Sequence, residues 1–72
     1  MGSVPYYIPP VGSQVHATNT TDGVTLTMDG EVMFVSPEAN AGNGFGVVRI
    51  KDVTDDVEKD VYRNSWDFFP LT

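Results

Sequence analysis

Between Asp22-Gly23 and Asp29-Gly30 the chain alternates without a break: Val24, Leu26 and Met28 fall on one side, Thr25 and Thr27 on the other. A period of two is the repeat of a pleated strand with one face buried, and on a helix the same residues would scatter around the axis. Branching at Cβ in Val and Thr suits the strand as well. The same period returns in residues 13–20, where Val15 and Ala17 alternate with Gln14, His16 and Thr18. Residues 31–36 predict a third strand. Residues 45–53 predict a fourth, apolar enough at Val47, Val48 and Ile50 to lie near the middle of a sheet.

The links between these runs are short. Thr20-Thr21-Asp22-Gly23 predicts a turn with Gly23 at positive φ. Asp29-Gly30, a two-residue link between two β-rich runs, predicts a hairpin. Residues 37–44 predict a loop. Gly44 and Gly46 flank Phe45, which predicts a bulge or a close backbone approach there. One segment, 55–63, fits a helix: Asp55 stands at a capping position with Glu58 three residues on, and Val57 and Val61 are four apart. Its acids come early and Lys59 and Arg63 late, which suits the helix dipole. The closing residues, Trp66 to Leu71, predict a final aromatic strand. Together these elements predict an all-β fold: a small SH3-like barrel or curled antiparallel sheet of four to five strands with one short helical turn.

Residues 1–12 read differently. Three prolines within six positions, Pro5, Pro9 and Pro10, fix φ and remove amide donors. The segment is expected to be an extended proline-rich arm leading into a single β domain, 13–72. Gly12-Ser13-Gln14-Val15 at its start, and Asn64 through Phe68 to Leu71 at its end, resemble the small SH3-like subunits that sit on photosynthetic complexes. The resemblance is one of shape and implies an SH3-type roll. Those subunits carry many basic residues near the first strand, and this chain carries none there.

Charge narrows the partners. With 10 acidic and 4 basic side chains the formal net charge is −6, which repels nucleic-acid phosphates and anionic membrane surfaces. Neither nucleic acid nor membrane is therefore an expected partner. No apolar run approaches the ~18 residues of a membrane span. The first ten residues lack the basic region and apolar core of a secretory signal, so the expectation is synthesis in the cytoplasm and incorporation into a larger assembly. Absence of cysteine removes disulfides, thiolate metal ligands and cysteine catalysis.

No constellation of residues points to catalysis. His16 is the one histidine, and no carboxylate, nucleophile or further ligand stands at a telling spacing from it. Asp52, Asp55, Asp56, Glu58 and Asp60 gather five carboxylates in nine residues, yet the glycine of a calcium loop is missing. A solvated acidic surface, or one that meets a basic partner, is the expectation, and no cofactor or metal is assigned.

What the sequence does offer is apolar surface at its ends. Five of the eight aromatic residues, Tyr6, Tyr7, Trp66, Phe68 and Phe69, lie in the terminal segments. Aromatic anchors dominate interface energetics. A chain this small, with no staple, gains little net stability from its own core. The expected role is a non-enzymatic assembly subunit. It would dock on a protein partner or on other copies of itself through Tyr6, Tyr7, Ile8, Val11, Phe45, Trp66, Phe68 and Phe69. Low lysine with abundant Gly, Asn, Thr and Val suits a virion accessory protein, such as a capsid decoration or head–tail joining subunit. The alternative is an acidic inhibitor or adaptor that occupies a basic site on a target protein.

Overall fold

The computed structural model describes residues 7–42 and 44–71. Its elements run β1 (Gln14–Thr21), β2 (Val24–Val35), α1 (Pro37–Asn40), β3 (Val47–Asp52), β4 (Glu58–Tyr62) and β5 (Asp67–Pro70). The five strands form one antiparallel sheet in the order β4-β3-β2-β1-β5, unclosed between its two edges. This is the small all-β curled sheet that the alternation predicts.

The hairpin between β1 and β2 turns at Asp22-Gly23, not at Asp29-Gly30. Both residues of the turn take positive φ, 53° and 78°, the mirror-image geometry that matches strand twist. Side-chain faces explain the choice. A turn at Asp29-Gly30 would set Met28 against Glu31 and Thr27 against Val32. The observed register pairs Ala17 with Met28 and Val15 with Gly30, keeping one apolar face.

Freed from turning, Asp29-Gly30 lies inside a twelve-residue strand. Up to Glu31, β2 pairs with β1; from Gly30 onward it pairs with β3. The register then slips between Val32 and Phe34, a bulge at Met33 that adds to the bend. Gly30 is buried, and a Cβ on it would stand 2.1 Å from the Lys51 carbonyl oxygen and 2.7 Å from Ile50 Cγ2. Only glycine lets the backbone of β3 pass there.

The core fills the concave side. Val15, Ala17, Met28, Val32, Val48, Ile50, Val61 and Phe68 form one buried cluster, with Val35 and Trp66 packed against it. Pro9, Ala39 and Ser36 are buried too. Ser36 caps α1, accepting from Ala39 N at 3.3 Å, and accepts from Val47 N at 2.9 Å, so one hydroxyl ties α1 to β3. Pro37 at the first helical position completes a start signal in a segment expected to be loop. The close approach expected beside Phe45 is present: a Cβ on Gly46 would meet Ala39 N at 2.2 Å.

The helix expected at 55–63 is a turn followed by β4. Asp56 takes φ 60°, which a right-handed helix excludes. Asp52 Oδ1 accepts from Thr54 N at 2.9 Å and Asp55 Oδ1 from Val57 N at 3.2 Å, so the carboxylates that suggest a helix cap build turns instead. Pairing with β3 then decides the strand, because it buries Val61 opposite Val48 and sets Asp60 opposite Arg49.

Gly30→Ala is expected to cost about 3 kcal/mol, the upper end for forced overpacking, read by urea denaturation. Phe68→Ala should cost about 3–5 kcal/mol as a core truncation. A loss below half a unit of denaturation midpoint for Gly30→Ala would show that the strands part freely at that point.

Candidate docking surface

The two termini are brought to one end of the sheet by hydrogen bonds. Ser13 N donates to Pro10 O at 3.1 Å, and Gly12 N donates to Val32 O at 2.8 Å. Val32 N returns a bond to Ser13 O at 2.9 Å. These contacts hold residues 9–13 along β2, with Pro9 buried beneath. From the other terminus, Leu71 N donates to Gln14 O at 3.1 Å, extending the β5–β1 pairing. Residues that are far apart in sequence thus meet around the start of β1.

The expected contact residues divide at this point. Tyr6 lies outside the described residues. Tyr7 and Val11 are exposed, and Ile8 is half-buried. Phe69 is exposed on β5, and Leu71, not named among the expected contacts, is exposed just beyond the end of that strand. Phe68 points the other way, into the core, because successive residues of a strand alternate faces. Its aromatic ring is therefore spent on the protein's own interior. Trp66 is half-buried and packs on the same cluster. Phe69 stands opposite His16, ring centroids 6.3 Å apart, and His16 Nδ1 contacts Asp29 Oδ1 across the β1–β2 pair.

Phe45 sits elsewhere. It is 84% exposed and lines a cleft of about 300 Å³ with Gly44, Tyr62, Asn64 and Ser65. A tight turn shapes the far wall: Ser65 N and Trp66 N both donate to Tyr62 O, at 3.0 and 3.2 Å. Asn19 Nδ2 donates to Ser65 O at 2.9 Å, bracing that turn against β1. Tyr62 is a cleft residue that the helix expectation hid. Read as part of an alternating strand, Asp60-Val61-Tyr62 turns Val61 inward and Tyr62 outward. Val24 and Leu26 are exposed although they share the face of Met28, because the β1–β2 hairpin runs past the strands that cover the core.

Along β3, β4 and the turn between them the charges are paired. Arg49 Nε donates to Asp60 Oδ1 at 2.8 Å, and its guanidinium lies 5.7 Å from the Phe34 ring centre. Lys59 Nζ bridges Asp52 and Asp55 at 2.9 and 2.8 Å. Lys51 Nζ reaches Asp56 at 3.4 Å. Four of the five carboxylates between Asp52 and Asp60, all but Glu58, are thus seen paired with lysine or arginine of the same sheet. Among the described residues no group of three or more His, Asp or Glu side chains is arranged to hold a metal ion.

These pairs shift titration in predictable directions. Asp52 is held below the usual carboxylate value, first by the Thr54 amide and then by Lys59. The Lys59 ammonium does the same to Asp55, and the Arg49 guanidinium to Asp60. Lys59 and Arg49 are raised in return, chiefly by hydrogen bonds to Asp55 and Asp60 respectively. The chain matches no protein-family model, no curated protein and no solved structure.

Carboxylates depressed in the folded state stabilise it above their ordinary value of 3.8 and lose that contribution as pH falls through their lowered folded values. The melting temperature is therefore expected to hold steady near neutrality and to drop in acid below about pH 4. Asp52→Asn should lower the neutral plateau and flatten the acid limb. An unchanged acid limb in Asp52→Asn would show that Asp52 does not titrate differently on folding.

Proposed function

We propose that the protein is a non-enzymatic docking subunit that attaches to a larger protein assembly through the apolar surface gathered at its termini. The observation that carries this reading is that exposed Val11 and Leu71 adjoin the hydrogen-bonded start of β1 from the two ends of the chain, with Tyr7 and Phe69 exposed in the same terminal segments. A chain that covers its own core with Phe68 and Pro9 keeps these four side chains outside. Apolar surface that a small protein leaves exposed and clustered is contact surface.

Physical economy supports the arrangement. The arm is anchored at residues 9–13, so the segment before Pro9 starts from a fixed point when it meets a neighbour. Each contact it adds after the first is effectively intramolecular. A capsid decoration or head–tail joining subunit is the assembly of this kind that the composition suits.

The competing reading, an acidic inhibitor of a basic site, draws its support from the net charge of −6. The internal pairing of Asp52, Asp55, Asp56 and Asp60 favours docking, because carboxylates already engaged must leave their partners before they can meet a basic target.

Salt separates the two. In extracts of its source cells, the tagged full chain is expected to elute with a larger complex, at an apparent mass well above 7.9 kDa. That elution should persist as salt rises from about 0.05 to 0.5 M, where exposed charges are largely screened. The triple variant Val11→Ser, Phe69→Ser, Leu71→Ser should elute free while keeping its melting temperature within a few degrees. Salt-sensitive elution would transfer the case to the inhibitor reading. A wild type that elutes free at every salt concentration would overturn docking altogether.

A further inference from the structure

We infer that the cleft of Phe45, Tyr62, Asn64 and Ser65 receives the uncharged amino-terminal segment, bearing Pro5, Tyr6 and Tyr7, of a second copy of the same chain. The inference rests on the docking reading above and names a partner for it. Three observations point to that occupant.

The first is charge. Asp22 is the first acidic or basic residue of the chain, and His16 is the one titratable side chain before it apart from Tyr6 and Tyr7. The body of the molecule therefore carries the whole charge of −6, and two bodies repel. The amino-terminal segment is the part of the chain that approaches a second body without that cost. The cleft matches it, since Gly44, Phe45, Tyr62, Asn64 and Ser65 are all uncharged. Nothing ionised has to be desolvated when the two meet.

The second is chemistry. Pro5 and the tyrosines after it present carbonyl acceptors and flat rings, and Pro5 brings no amide donor. A pocket that holds such a segment needs aromatic walls and side-chain donors. Phe45 and Tyr62 are the walls, and Asn64 and Ser65 bring amide and hydroxyl donors to the same cleft.

The third is reach. Pro9 is buried and Gly12 is bonded to Val32, so eight residues precede a fixed anchor. At full extension eight residues span roughly 26 Å. The molecule itself measures 36 × 30 × 24 Å. The segment is long enough to leave its own body and lie across a neighbour's.

Arm and cleft are different patches of one chain, so the contact is heterologous and repeats: each copy gives an arm and receives one. Repetition closes into a ring or grows into a filament.

That asymmetry supplies the test. A donor-blocked variant carries Tyr6→Ser and Tyr7→Ser; a receiver-blocked variant carries Phe45→Ser, or Phe45→Lys as a second form. Each is confirmed as folded by its melting curve. Sedimentation of full-length chains from micromolar to submillimolar concentration is expected to show wild type as multiples of 7.9 kDa and each variant alone as one copy. An equimolar mixture of the two should yield two-copy complexes and nothing larger, since one intact arm and one intact cleft remain. A mixture that stays single-copy overturns the inference, as does a receiver-blocked variant that assembles like wild type. Wild type that is single-copy at every concentration also overturns it, while the elution test of docking to another protein keeps its own answer.

Discussion

The whole molecule depends on the passage of one backbone over another at Gly30. There β2 leaves β1 as its partner and takes up β3, with the Lys51 carbonyl oxygen 2.1 Å from where a side chain would begin. The bend lets one sheet of five strands curl around Val15, Ile50, Val32 and Val48, all fully buried. A flat sheet of this size would have one solvated face and no interior to speak of. Strands this short gain stability when the sheet folds over itself, so the glycine is a condition of having a core.

Much of this was legible in the alternation. β1, β3 and the two halves of β2 were expected as strands, and β5 from the aromatic run beginning at Trp66, whereas β4 was expected as a helix. Three features went elsewhere for physical reasons. Two Asp-Gly pairs, seven residues apart, carry the same turn signal; the register that keeps Ala17 facing Met28 chooses the first. Val57 and Val61 fit a helix by their spacing, yet they also fit a strand, and pairing with β3 breaks the tie. The short α1 was announced by Ser36 and Pro37, but a single turn has too few residues for periodicity to show.

The proposed contact residues are marked in the sequence by composition and not by direction. Aromatic enrichment marks the termini, but it cannot say that Phe68 faces the core while Phe69 faces solvent. That distinction needs the register of β5 against β1. Leu71 and Tyr62 emerged only when the chain was folded, Leu71 through its bond to Gln14 and Tyr62 through the turn that follows it. The same folding pairs most of the acidic run with cations of its own sheet, so the most conspicuous charge feature of the sequence supports the sheet.

The proposed docking uses what the fold leaves over: an anchored arm, an exposed carboxy-terminal face and a cleft. The most direct measurement is the amide spectrum of the isotopically labelled full chain followed on dilution. The account predicts concentration-dependent shifts at Tyr7, Phe45, Tyr62 and Asn64, with Val15, Ile50 and Val48 unmoved. Shifts confined to the paired charges around Arg49 and Asp60, or a spectrum unchanged over the full range, would contradict attachment to a second copy.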